Sequence, residues 1–184
     1  LQNRGVKDII IASIDNLKGL SNAIKSVFPE TEVQLCIVHQ IRNSMRYVPH
    51  KNKTTVLKDL KQVYQAPSMD QAEVALANLE ENWAKQYPVM VNSWLNNWEE
   101  LSNYFKYPED IRRRIYTTNP IESFHSQLRK VTKTKRVFPS DMALLKLLYL
   151  VQENVRKNWT RPLNGWNLTM SQMMIIFEKR LIQP

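Results

Sequence analysis

The pattern of apolar and polar positions changes character twice along the chain. Residues 9–14 form a short, β-branched, nearly continuous apolar run, which predicts a strand buried on both faces in a parallel sheet. The run ends at Asp15, and residues 16–19 read as a turn. Leu20, Ala23, Ile24, Val27 and Phe28 then recur at helical spacing up to a stop near Pro29. A second short strand over residues 32–37 runs into His39. Strand, helix, strand in this order implies a right-handed crossover and parallel pairing. Asp15 is thereby expected at the carboxyl edge of an open α/β sheet, where such sheets take their ligands. It would equally suit capping the following helix, and the pattern leaves both roles open.

From residue 37 onward the period is helical. Ile37, Val38, Ile41, Met45 and Val48 predict a helix to residue 48 with Arg42 and Arg46 outside. Residues 49–107 carry no strand signal. They predict one helix over 56–64, a second capped by Asp70 with Glu73 and bearing Val74, Leu76, Leu79 and Trp83, and a third opened by Pro88 with Val89, Trp94, Leu95 and Trp98. Tyr104, Phe105 and Tyr107 follow, and packing between helices is the commoner fate of such aromatics than stacking on bases.

Past residue 116, Asn119 suits an N-cap, Pro120 a first helical position and Glu122 the third residue of a capping box. His125 and Arg129 fall on nearly the same stripe as Glu122. An acid, an imidazole and a cation so placed can hold a metal and a phosphate, or form a solvated face. Ser140 and Asp141 cap a helix to about Asn158 that is apolar on most faces and expected to bury against the sheet. A loop over 159–166 leads to a closing amphipathic helix, 170–181, whose Met173, Met174, Ile176 and Phe177 suit a core or a docking surface. The fold class is α/β and predominantly helical, in four stretches: 1–48, an all-helical 49–108, 109–158 and 159–184.

Charge sharpens this outline. Among 184 residues, 26 Lys and Arg stand against 17 Asp and Glu, a net charge of +9, which favours a polyanionic partner such as nucleic acid. Arg112, Arg113 and Arg114 form a dense cluster, and Lys130, Lys133, Lys135 and Arg136 another; both suit phosphate or plain solvation. The longest apolar run, 143–151, is broken by Lys146 and too short for a membrane span, so a cytoplasmic protein without membrane contact is expected. A single cysteine, Cys36, excludes an internal disulfide framework. Cys36 and His39 lack a second Cys/His pair at zinc-ligand spacing. The first residue is Leu, not Met, so the chain reads as part of something longer.

Several blocks together resemble one family. Residues 14–19, 34–43, 115–122, 127–133 and 138–141 are similar, in this order, to the mutator-type transposases of bacterial insertion sequences, the group that includes the IS256 elements. The resemblance implies a partial RNase H-like fold of the DDE transposase/integrase type, with an all-α insertion between the second Asp and the Glu. Asp15 matches the second acid and Glu122 the Glu, 107 positions apart (122 − 15), a gap that the helical stretch 49–107 accounts for. The first catalytic Asp would lie upstream of Leu1, so the site would be incomplete in this chain and the chain inactive alone. Cys36 and His39 match the family's C-x-x-H pair, with a role in orienting the Asp15 junction or contacting DNA. Arg129 matches the basic residue after the Glu. Asn16 stands where many relatives have Gly or Ala and is expected to alter the turn only.

Carried over, the family's chemistry is Mg²⁺- or Mn²⁺-dependent cleavage and strand transfer at transposon ends. Two ions about 3.5–4 Å apart would be held by carboxylates including Asp15 and Glu122. Double-stranded DNA and a homo-oligomer are the implied partners, with Arg112, Arg113, Arg114, Arg129, Lys130 and Lys133 on the phosphates. The alternatives are a truncated remnant that binds DNA or multimerises without catalysis, and a helical interaction domain in which Glu122 only caps its helix.

Overall fold

The computed structural model describes residues 1–116, 120–135, 137–160 and 163–181. Its contacts divide the chain into two units, Leu1–Tyr116 with Thr169–Pro184, and Thr117–Leu168.

The first unit opens with β1 (Ile11–Ile14), α1 (Leu20–Val27), β2 (Glu32–Leu35) and α2 (Ile37–Ser44). The strands pair in parallel, Ile11 opposite Glu32 through Ile14 opposite Leu35. Strand, helix and parallel strand thus appear where the apolar runs put them. Burial differs from the expectation: Ser13 is exposed and Ile11, Ala12 and Ile14 are only half-buried. Among the described residues β1 has one neighbouring strand, so a run suited to a sheet interior is half covered. The turn after Asp15 ends at Gly19, whose φ of 84° is a left-handed conformation that a side chain would disfavour at the start of α1.

Four helices follow: α3 (His50–Tyr64), α4 (Met69–Trp83), α5 (Pro88–Asn96) and α6 (Trp98–Ser102). A 3-10 turn over Asn103–Lys106 leads to α7 (Glu109–Tyr116). Their apolar stripes converge on one core in which Val56, Leu60, Val63, Leu79, Met90, Val91, Trp94 and Leu101 are fully buried. At about 1.5–3 kcal/mol for each buried aliphatic or aromatic side chain, this cluster is the main source of stability in the unit. Leu35 and Ile37 belong to the same core, so packing joins the strands to the helices that follow them.

Buried polar groups fix the fit. The Gln34 amide nitrogen lies 2.9, 3.1 and 2.9 Å from the carbonyls of Leu35, Glu100 and Leu101, fastening β2 to α6. Trp94 Nε1 donates to Ser44 Oγ at 2.9 Å, and Tyr104 Oη to the Tyr64 carbonyl at 2.7 Å. The aromatic residues are therefore core, with Tyr104 stacked on Phe105 and edge-on to Tyr116. Tyr107 Oη donates to Glu32, which also pairs with Lys106. Burial, reinforced by that carboxylate, pushes the Tyr107 hydroxyl far above its ordinary value.

Two local expectations are corrected. α4 is capped by Ser68, whose Oγ accepts from Gln71 N at 3.3 Å, and not by Asp70. Ser68 has the extended backbone that a cap needs, and Asp70, one residue inside the helix, favours the N-terminal dipole instead. The closing helix is broken at Phe177 into α10 (Trp166–Ile176) and α11 (Glu178–Leu181). Phe177 is buried against Tyr107, which draws the chain inward there.

The second unit contains α8 (Pro120–Thr132) and α9 (Asp141–Asn158), packed on each other with Phe124 and Trp159 in ring contact at 6.2 Å. Pro120 opens α8 as its ring predicts; Asn119, its expected cap, lies outside the described residues. Ser140 Oγ caps α9 by accepting from Ala143 N at 3.2 Å. The expectation that α9 is largely buried is not met: Val155 alone among its described residues is buried, while Met142, Leu145, Tyr149 and Leu150 are exposed. One packed helix covers one stripe, and α9 is apolar over more than one.

Arg180 closes the first unit. Its Nε and Nη2 donate to the two Asp8 carboxylate oxygens at 2.9 and 2.6 Å, and Nη1 to the Glu30 carbonyl at 2.7 Å. This fork ties α11 to the segment entering β1. The guanidinium holds Asp8 below its ordinary carboxylate value of 3.8. A depressed folded value means stability present above the unfolded value and lost as pH falls through the folded one. Asp8→Asn should therefore cost stability at neutral pH, about 1 kcal/mol or less at this partly exposed site. Urea midpoints of the two proteins should converge as pH drops from about 5 to 2.

Candidate active site at the carboxyl edge of the parallel strands

Parallel pairing decides which side chains meet here. Ile14 ends β1 opposite Leu35, which ends β2, so Asp15 and Cys36 leave the sheet at the same edge. The Cys36 amide donates to the Ile14 carbonyl at 2.8 Å, extending the ladder by one bond. Cys36 then occupies the N-cap position of α2 with extended backbone, which places His39 in the first helical turn. His39 Nδ1 stands 2.7 Å from Asp15 Oδ1, at ion-pair distance. The Asp15 side chain is 60% exposed and that of His39 24%, so an open carboxylate is backed by a sheltered imidazole.

Cys36 itself is a buried free thiol, 4% exposed. Within the C-x-x-H pair, then, the histidine faces Asp15 and the cysteine packs inward.

A polar chain supports the same edge. Asn16 Nδ2 donates to Asn97 Oδ1 at 2.7 Å, Asn97 Nδ2 to the Ser93 carbonyl at 2.6 Å, and Gln40 Nε2 to Ser93 Oγ at 2.8 Å. Asn97, Ser93 and Gln40 went unnoticed in the sequence because the bond from Asn16 to Asn97 joins residues 81 positions apart. Asn16 thus does more than shape its turn: it fastens that turn to the end of α5.

Glu122 is the third residue of α8, half-buried, in the second unit. Arg129 and Lys130 are exposed in the last turn of that helix, and Lys133 is exposed just beyond it. In the first unit the three arginines of α7 separate by environment. Arg112 is half-buried: Nη1 donates to the Ala66 carbonyl at 3.2 Å and the guanidinium lies 5.5 Å from the Phe105 ring centre. Arg114 is half-buried as well. Arg113 is exposed and pairs loosely with Glu109 at 3.8 Å. Of this triplet Arg113 is the fully exposed member, because a helix cannot turn three consecutive side chains to one face. Among the described residues no group of three or more His, Cys, Asp and Glu is gathered to hold a metal ion. No helix among them is long and apolar enough to cross a membrane.

Comparison with known proteins bears out the family resemblance of the sequence. Residues 1–162 match the family described as transposase, Mutator family. The chain belongs to this family. It is 44% identical, over 98% of its length, to a transposase for insertion sequence element ISRM3 from Rhizobium meliloti (strain 1021). It is 42% identical over 98% of its length to a probable ISRM3-like transposase from Sinorhizobium fredii, and 31% identical over 84% to the IS905 transposase of Lactococcus lactis. The match covers 45%, 45% and 39% of those relatives, so the chain spans less than half the length of each.

Within this Mutator-family chain, burial of Cys36 has a direct consequence. A buried thiol is inert, since reaction needs an exposed thiolate. Alkylation of Cys36 by a bulky maleimide should run at least about a hundredfold slower in native protein than in denaturant, following local opening of the β2–α2 junction. Equal rates would place the thiol at the surface.

Proposed function

We propose that Asp15 and Glu122 act together as metal-binding carboxylates in DNA cleavage and strand transfer at insertion-sequence ends, within an RNase H-like domain of the DDE type that α3–α6 interrupt. The observation that carries this reading is the Asp15–His39 contact at the carboxyl edge of two parallel strands. Asp15 Oδ1 faces the imidazole, and the side chain is 60% exposed. A hard, accessible oxygen of this kind suits Mg²⁺ or Mn²⁺. Glu122, at the start of α8, offers the second carboxylate.

Bound divalent ions would activate the attacking oxygen and stabilise the leaving one. The chain's own residues do the rest. His39 fixes the Asp15 carboxylate through Oδ1, and the Asn16–Asn97 bond holds the turn that carries it. Arg113, Arg129, Lys130 and Lys133 are exposed and contact DNA phosphates without reading bases. Arg112 keeps its guanidinium on Ala66 and Phe105. Double-stranded DNA is the substrate, a homo-oligomer the working assembly and the bacterial cytoplasm the compartment.

Isothermal titration of Mn²⁺ into the chain and into its Asp15→Asn and Glu122→Gln variants tests this reading. Binding by the parent chain that weakens at least about tenfold in each variant, close to 1.4 kcal/mol, is the expected result. Undiminished binding in either variant overturns the joint role of the two acids. No binding in the parent chain favours the catalytically inactive, DNA-binding reading instead.

A further inference from the structure

A further charge asymmetry lies on α3. Between His50 and Lys61 this helix carries four lysines and one carboxylate, Asp59. Asp59 is engaged, accepting from Trp83 Nε1 at 2.7 Å. At 100° per residue, Lys51, Thr54, Lys58, Lys61, Gln62 and Gln65 share one exposed face, with Val56, Leu60 and Val63 buried on the other. No carboxylate of α3 falls on that exposed face. Lys58, Lys61, Gln62 and Gln65 also border a groove of about 430 Å³ shared with Gln71 of α4. Asp70 and Glu81 of the facing helix line, with Asp59, an adjoining groove that shares Gln62, Gln71 and Ala75 with this one.

A solvated helix face in a soluble protein normally mixes both signs. Here three lysines without ion-pair partners among the described residues are interleaved with hydroxyl and amide groups, which donate to phosphate and sugar oxygens. Lys51 to Lys61 spans ten residues, or about 15 Å along the helix axis. The same length of duplex presents about nine phosphates, enough for each lysine to meet one. An anionic membrane would instead require an apolar flank to insert, and the apolar side of α3 is fully committed to the core.

We propose that the outer face of α3, through Lys51, Lys58 and Lys61, is a docking surface for the sugar-phosphate backbone of DNA, made by residues other than the basic ones assigned on α7 and α8. The inference rests on DNA being the substrate of this chain, and its test separates the two claims.

The measurement is fluorescence anisotropy of a labelled random-sequence duplex titrated with the 184-residue chain across 50–200 mM salt. The triple variant Lys51→Gln, Lys58→Gln, Lys61→Gln is compared with a charge-matched control, Lys7→Gln, Lys25→Gln, Lys85→Gln, drawn from exposed lysines elsewhere. Loss of three phosphate contacts should reduce the slope of log K against log salt by about 2.7. The parent chain would then lose about 40-fold more affinity than the variant over that salt range, while the control keeps the parental slope. A single Lys58→Glu variant, whose fold is checked by its circular dichroism melt, should weaken binding at least threefold. Parental binding in the α3 triple, or equal loss in both triples, overturns the docking surface and leaves DNA as substrate intact. Loss of binding to phosphatidylserine vesicles without loss of DNA binding overturns it in favour of a lipid surface. Absence of duplex binding by the parent chain overturns both claims.

Discussion

The parallel pairing of β1 with β2 is the constraint on which the site depends. Because Ile14 and Leu35 are register partners, the next residue on each strand, Asp15 and Cys36, emerges at the same edge. The bond from the Cys36 amide to the Ile14 carbonyl continues that register into the start of α2, so His39 reaches back toward Asp15. A slip of one residue would turn Asp15 to the opposite face and separate it from the imidazole. Two four-residue strands could not hold a register alone. They are held by the helical core, through Leu35 and Ile37 within it and through the Gln34 amide on α6.

The helices therefore do more than fill space between two acids. α5 contributes Trp94, which hydrogen-bonds Ser44 at the end of α2, and Ser93, which receives Gln40 from the middle of it. Asn97 then carries the connection to the turn beside Asp15. A segment that looks in sequence like an interruption of the α/β fold braces the edge at which the chemistry is proposed. The outer side of α3 faces away from that core, and this leaves its lysines open to solvent.

Much of this was legible in the sequence, for physical reasons that also mark where legibility stopped. The β-branched run at 9–14 marks a strand and the helical spacing of Leu76 and Leu79 reports burial on α4, so strand order and helices followed from pattern alone. Pro120 and Ser140 located helix starts because their backbone requirements are local. The Ser68 cap was missed since Asp70 offers a similar local signal two residues later. Half-burial of β1 and the exposed side of α9 depend on what packs against them, which periodicity does not encode. The Asn16–Asn97 bond and the inward turn of Arg112 are tertiary choices among locally equivalent options. Asp15 and Glu122 were singled out by family resemblance more than by spacing, since each alone also reads as a helix-capping residue.

The central claim is that these two acids serve one ion-binding site. Its most direct measurement is paramagnetic relaxation in the amide spectrum of the ¹⁵N-labelled chain on addition of substoichiometric Mn²⁺. The account predicts that amides around Asp15 and Cys36 and those around Glu122 and Phe124 broaden together, with one concentration dependence, and that Asp15→Asn abolishes both effects. Broadening confined to one of the two segments, or unchanged around Glu122 in the Asp15 variant, would contradict it.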